Sequence, residues 1–450
     1  MKIKKILKRA AIIISVLLLL FKGFLMYRDY ASYQDVIHED ADQIIKIKVD
    51  GITQSIMFNA ITNPSFYLKS KSKKDTIKDD KKEEKGFTIP ANVFLYTVKN
   101  NPRTTIFTSF KVSDSAHFKN HIKSKYKITN FKTLTGFTVA SNKDKKVVIA
   151  FNDKQCVVAY NPSKQNVNEV FSDILVDKKT SGKSNKIWNK IKDANAHINF
   201  LSKNNNLHLD FKSGQALITG NLVLPQYLDT PKNFTGVNFS SDASVTLNLN
   251  LLSTIKYMSF KHNNVDVQTD SLSTYYNGHL ALEMVNTTTQ MDSIITYEYN
   301  EDFEKVETLT AVKKEVPEIN MQLSSDASKL YNYLEKVSII KQGNLSKEVF
   351  PLYQFKIDKT EKGLLASTNL EKPYKAETIE NTNVFDLTID FEKLQDQNHF
   401  PMINNYLEKL LGLKINGISN ADETIEVKGQ LQLKNKDINA LAQFVINNQE

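Results

Sequence analysis

Few side chains in this chain are spaced for chemistry. Asp114, His117 and His121 stand at i, i+3 and i+7, which sets three metal-ligand types on one helical face. The zinc-protease pattern H-E-x-x-H needs a glutamate after the first histidine to activate water, and Phe118 holds that place. No further ligand set is recognisable, so a solvated helix face is the expectation here. Thr180-Ser-Gly-Lys-Ser184 resembles the tail of a phosphate-binding loop. That loop needs a glycine five residues before Gly182 for the backbone to wrap the phosphates, and Asp177 stands there. Glu83 and Glu84 lie in a charged stretch, where neither carboxyl would acquire the raised pKa of a general acid. Gly-x-Ser-x-Gly, Gly-x-Gly-x-x-Gly and Cys-x-x-Cys are all absent from the sequence. No catalytic, cofactor-binding or metal-binding residue is therefore assigned, no cofactor is expected, and the chain reads as a non-enzyme. The remaining histidines (38, 197, 208, 262, 279, 399) are scattered singly.

The elements that would position these residues share a recurring grammar. Residues 44–61 begin with alternation, Ile45, Ile47 and Val49 on one face and Lys46, Lys48 and Asp50 on the other. Asp50 then caps a helical pattern of Ile52, Ile56, Met57 and Ile61. The same strand-then-helix order recurs at residues 244–260 (cap Asn250), 319–337 (Ser325 or Asp326), 384–397 (Asp390) and 105–122 (Ser113 or Asp114). An alternating strand has one face to bury, and the helix after it is its natural cover. The expected fold class is α+β, an N-terminal single-pass helix followed by mainly antiparallel sheets with helices packed on one face. Three strands share the wording Gly-x-Leu-x-Leu, starting at Gly220, Gly278 and Gly429. They read as half-buried sheet, with an open apolar groove for acyl chains as the sharper alternative. A last helix is expected at residues 438–445, capped by Asn435 or Asp437. Cys156, beside Val157 and Val158, reads as a small buried hydrophobe, and one cysteine excludes an internal disulfide framework.

The N-terminus speaks to location. Lys2, Lys4, Lys5, Lys8 and Arg9 precede an apolar run at residues 10–27 broken only by Lys22 and Gly23. Basic flanks stay in the cytoplasm, so the chain beyond residue 27 is expected outside it. No A-x-A cleavage site comes after the run, which favours an uncleaved anchor over a signal peptide. The formal net charge is +9, but six of those charges precede residue 23, so the rest carries only +3 and no footprint for nucleic acid. Hydrophobic residues at 41 % indicate a globular ectodomain instead of a disordered stalk. The expected organisation is a cytoplasmic tail (1–9), a signal anchor (10–27) and a juxtamembrane segment (28–40). Beyond these come a first ectodomain region (41–228, with a solvated charged loop at 69–86), a linker (229–242) and a second ectodomain region (243–450).

Four segments carry a resemblance. They are the unit at 41–68, ending Asn63-Pro-Ser-Phe-Tyr-Leu68, and Ile89-Pro-Ala-Asn-Val-Phe-Leu-Tyr-Thr-Val98. The others are Thr296-Tyr-Glu-Tyr-Asn-Glu-Asp-Phe303 and Asn435-Lys-Asp-Ile-Asn-Ala-Leu-Ala-Gln-Phe444. With the strand–helix grammar, they make the chain similar to an uncharacterised group of bacterial envelope proteins held by a lipid or a helix. This chain lacks the anchoring cysteine of the lipid-held members. The resemblance implies location and architecture and no activity. The expectation is a cell-membrane protein, N-terminus cytoplasmic and C-terminal region exported, that binds or scaffolds another envelope component without catalysis. The alternatives are lipid binding or transfer along the apolar sheet faces, and an unrecognised envelope hydrolase.

Overall fold

The computed structural model describes residues 2–69, 84–181, 185–254, 258–262, 265–299 and 303–446, with side chains of the first helix from Ile12 onward. Most of the charged loop, Glu83, and Gly182 to Ser184 of the phosphate-loop-like stretch lie outside the described residues. The chain is α+β and divides into two compact units, Met1–Gly220 with Asp437–Glu450, and Asn221–Lys436. The stretch 229–242, read as a linker, lies within the second unit, and the C-terminal helix belongs to the first.

The first unit holds strands β1 (Ala41–Lys48), β2 (Asn92–Val98), β3 (Ile106–Lys111), β4 (Asn130–Leu134), β5 (Phe137–Ser141), β6 (Val147–Phe151), β7 (Gln155–Tyr160), β8 (Ile198–Ser202), β9 (Asn206–Lys212) and β10 (Gln215–Val223). Their order across the sheet is 4-5-6-7-3-2-1-8-9-10. The second unit holds β11 (Val245–Asn250), β12 (Tyr276–Tyr299), β13 (Lys305–Ser325), β14 (Ile340–Lys341), β15 (Asn344–Leu345), β16 (Lys356–Thr360), β17 (Gly363–Ser367), β18 (Asn383–Asp390), β19 (Leu410–Ser419) and β20 (Thr424–Leu433). Here the order is 14-15-16-17-13-12-11-18-19-20, antiparallel throughout. The two orders are one wiring used twice. Short sequential hairpins account for some of it, but the return of strand 1 between strands 2 and 8 is a non-local choice made identically in both units.

The helices show where local signals hold and where packing overrides them. In the first unit α1 (Lys2–Ala31) precedes the sheet, α2 (Val49–Thr62) and α3 (Pro64–Lys69) follow β1, and α4 (Ser115–Tyr126) follows β3. Helices α5 (Asn168–Leu175) and α6 (Lys186–Asp193) follow β7. In the second, α7 (Thr269–Tyr275) precedes β12 and α8 (Ala327–Lys336) follows β13. Helices α9 (Phe391–Asp396) and α10 (Asn404–Leu407) follow β18, and α11 (Ala440–Val445), in the first unit, is the last described helix. Asp114 caps α4 by accepting from the His117 N–H at 2.8 Å, and Asp326 caps α8 from Lys329 N–H at 3.2 Å. These are equivalent places in the repeat, and each cap satisfies an amide that the helix start leaves orphaned. Asp390 caps α9 in the same way.

Other expectations need correction. Helix α2 starts at Val49, so Asp50 sits in its first turn and Lys48 at the cap position. The strand β11 is followed by the short strand Leu252–Ser253 instead of a helix. Helix α11 is capped by Asn439. Helices also lie on both faces of the first unit's sheet. Ile44, Tyr96, Phe107 and Val157 point to one face and pack with Phe171, Ile174, Trp188 and Ile191 of α5 and α6. Cys156, Phe151 and Ile149 point to the other and pack with Phe118 and Ile122 of α4. The reason is visible in β2 and β7, which are near-continuous apolar runs, the pattern of a strand covered on both sides. Cys156 is fully buried there, as its neighbours suggest.

Among the described residues no helix is long and apolar enough to cross a membrane. Helix α1 nonetheless exposes its apolar side chains from Ile12 to Tyr30, Leu19 to 69 % and Leu20 to 66 %. The segment 28–40, read as a juxtamembrane spacer, belongs to the first unit's core: Val36, Ile37 and His38 are buried. Arg28 forks onto Asp50 with Nε–Oδ2 at 2.8 Å and Nη2–Oδ1 at 2.9 Å, and donates to the Ile89 carbonyl at 3.0 Å. Asn92 Nδ2 donates to both Asp29 and Ser32 at 2.8 Å.

Candidate functional site

The residues singled out for metal binding do not converge. His117 stays exposed, its Nδ1 3.1 Å from Asp114 and 3.5 Å from Glu84. The capping bond from the His117 amide holds the Asp114 carboxyl below its usual range. His121 turns inward, 7 % exposed, its ring 5.9 Å from both Phe87 and Tyr126. Positions i and i+4 differ by about 40° around a helix, enough for the edge of a buried stripe to pass between them. Among the described residues no group of three His, Cys, Asp or Glu side chains could hold a metal. Other titratable groups serve the fold: His38 meets Asp173 at 3.2 Å, His208 meets Asn199 at 2.8 Å, and Lys46 donates to three backbone carbonyls. A polar cleft of about 820 Å³ in the first unit is lined by Asp40, Asp42, Lys99, Arg103, Lys186 and Lys203. With Glu39 its charges have both signs, and Lys99 pairs with Asp40 at 3.7 Å, so it presents no strong field of one sign.

What the geometry does gather is apolar surface. Residues opposite one another in an antiparallel ladder share a face. In the first unit Ile45 and Ile47 stand opposite Leu95 and Val93 of β2, and opposite Phe200 and Ile198 of β8, which face Leu207 and Leu209 of β9. In the second, Leu247 and Leu249 stand opposite Leu282 and Leu280 of β12, and opposite Leu387 and Phe385 of β18. Leu280 and Leu282 continue to Leu323 and Met321 of β13, and Leu387 to Ile415 of β19. Every one of these side chains is half-buried. They are strands of the same rank in the two units.

The helices near these faces do not close them. Helix α2 packs on β2 and β9 yet has no fully buried residue, and it exposes Met57, Phe58 and Ile61. In the second unit Phe391, Leu394 and Leu407 cover Val245, Ile319 and Leu413 at one side of the face, while Met402 and Tyr406 beside them are exposed, Met402 to 92 %.

The opposite face of the second sheet is polar and better buried, the reverse of what the Gly-x-Leu-x-Leu wording suggests. His279 and Glu283 on β12 are buried more deeply than Leu280 and Leu282 between them. Most of these groups are held, although His279 Nδ1 and Gln322 Oε1 are buried with no hydrogen-bond partner among the described residues. His279 Nε2 meets Asn248 Oδ1 at 2.8 Å, Glu283 accepts from Ser240 N–H at 2.8 Å and Asn320 Nδ2 at 3.1 Å, and Asn248 and Asn250 donate to the Thr235 carbonyl. Burial lowers the His279 pKa to about 4, so it is neutral near pH 7. The segment 229–242 supplies this cover. Strand alternation announces two faces, and nothing in it says which face a distant loop will cover.

No protein-family model matches the chain, and no curated protein matches it. Among solved structures, crystal forms I, III and IV of TP0453 align at 14 %, 16 % and 15 % identity. They cover 42 %, 42 % and 41 % of this chain and 77 %, 78 % and 77 % of theirs, with TM-scores of 0.27, 0.27 and 0.26. Likeness at that level carries no argument about this chain.

Proposed function

We propose that this chain is a membrane-tethered, non-catalytic lipid-handling protein whose two units each hold acyl chains against a half-buried sheet face. One observation carries the reading: strands of equal rank present the same apolar, incompletely covered face in both units, although the helices and loops around them differ. A soluble monomer rarely leaves contiguous apolar surface unpartnered, and such faces mark ligand, partner or membrane sites. Helix α1 is the proposed anchor. Its apolar side chains are exposed along the helix, and the basic residues in its first turns favour a cytoplasmic N-terminus and an exported body.

The test is phospholipid exchange. The full-length chain is reconstituted into acceptor vesicles and mixed with donor vesicles carrying a self-quenched fluorescent phospholipid. Transfer should exceed that into protein-free vesicles, and Leu247→Asp with Leu282→Asp should reduce it severalfold by placing charge on the face. Transfer no faster than into empty vesicles would remove the lipid reading and favour a protein partner. Release of lipid head groups during the assay would revive the hydrolase alternative.

A further inference from the structure

Beneath α4 the first unit has a second, half-open apolar space, lined by none of the β1, β2 or β8 residues. It measures about 480 Å³ and is walled by Phe87, Phe110, Phe118, Ile122, Ile149 and Val158. Gly86, at φ +69°, makes the turn that brings Phe87 over the helix, and a side chain there would meet the Asp114 carbonyl oxygen at 2.3 Å. The volume falls within the roughly 300–1,000 Å³ of small-ligand pockets. That suits a single acyl chain.

Two further features narrow the occupant. His121 lines the cavity at 7 % exposure, and its Nδ1 is buried without a hydrogen-bond partner among the described residues. Buried polar atoms are nearly always paired, so an orphan in a ligand-sized space marks where a ligand's polar end belongs. The surroundings set the sign of that end. Between Ser115 and Ile149 the sequence has eight lysines and one acid, Asp144. Lys123, Lys125 and Lys127 flank Tyr126, and Lys143, Lys145 and Lys146 follow Asn142; Tyr126 and Asn142 both line the cavity. All six lysines are exposed. We infer that the cavity beneath α4 binds a long-chain fatty acid, its chain among the phenylalanines and its carboxylate accepting from His121 Nδ1.

The test uses the full-length chain in nanodiscs with a palmitic-acid analogue carrying a mid-chain diazirine. After irradiation, label should appear on peptides spanning α4 and β6–β7, and excess palmitate should remove it. Hexadecanol should compete at least tenfold less well, because it lacks the anion. His121→Leu should weaken competition by palmitate about tenfold, ~1.4 kcal/mol. Ile149→Trp should abolish labelling by filling the space, and Val147→Phe should do so at a half-buried position if the first variant misfolds. Label confined to the β1, β2 and β8 peptides, or unchanged by both filling variants, would overturn the site. Equal competition by hexadecanol would overturn the carboxylate. Leu247→Asp with Leu282→Asp should leave this labelling unchanged, which separates failure here from failure of the exchange reading.

Discussion

Replacing Lys46 by methionine keeps the length of the side chain and removes its charge. Lys46 is 1 % exposed, and its Nζ donates to the carbonyls of Ile191 and Lys192 at 3.0 Å and of Ala194 at 2.8 Å. These carbonyls end α6, where the backbone has no donor of its own and the helix dipole favours a cation. The Tyr33 ring stands 5.2 Å away. Bonds from a charged donor contribute about 1.5–3 kcal/mol each. Against them stands the cost of burying the ammonium, which lowers its pKa to about 8. At ~1.36 kcal/mol per pH unit that cost is about 3 kcal/mol. The net loss in Lys46→Met should be about 3 kcal/mol near pH 7.

The sign with pH is fixed. The folded pKa lies below the unfolded value, so between about pH 8 and pH 10.5 the unfolded chain holds the extra proton and stability rises with pH. From pH 7 to 9.5 wild type should gain about 2 kcal/mol that the variant lacks. Trp188 is the single tryptophan and lies on α6, its ring 5.1 Å from Phe94, so its fluorescence reports this unit alone. The urea midpoint should fall by about 1 M at pH 7, taking a slope of ~3 kcal/mol/M. A midpoint equal to wild type, or a gap that fails to widen toward pH 9.5, would refute the reasoning.

The other predictions concern buried groups. Burial pushes the Cys156 thiol pKa well up, so a thiol-specific chromogenic reagent should modify it only at the rate of unfolding. Cys156→Ser should cost about 2 kcal/mol, because the hydroxyl lies among apolar side chains, and Cys156→Ala less, both read by urea unfolding. His279 has a folded pKa of about 4, below its unfolded value near 6.5, so its contribution is full above pH 6.5 and is lost as pH falls toward 4. The loss of stability from pH 7 to 4.5 should include about 2 kcal/mol from this group, and His279→Gln should show a smaller fall in melting temperature by circular dichroism over that range.

Local chemistry is the legible portion of this molecule. Asp114, Asp326 and Asp390 announce helix starts because a capping carboxylate acts within three residues of itself. Cys156 announces its burial through its neighbours. The misreadings share a physical cause, which is that sequence pattern fixes a periodicity and not its partner. Arg28 and Asp29 look like solvated flanking charges until Asp50 and Asn92 come into reach. The polar residues of β12 look exposed until the segment 229–242 covers them. The cavity beneath α4 draws on residues from Phe87 to Val158 in separate elements, and no spacing rule joins them. The shared strand order is equally hidden, because it is a property of hydrogen-bond connections and strands of the same rank differ in length and wording.

The clamp at the end of α1 has a mechanical meaning. A tether joined through a solvated spacer would act as a leash, letting its cargo tumble and reach outward. Here the last turn of the helix is bolted to β2 and α2 by Arg28, Asp29 and Ser32, and the next residues sink into the core. The joint has no swivel. Whatever plane fixes α1 therefore also fixes the tilt of the first sheet, as a mast fixes the attitude of its sail. Lengthening the chain at residues 28–40 would not extend the protein's reach; it would break the bearing on which its orientation depends.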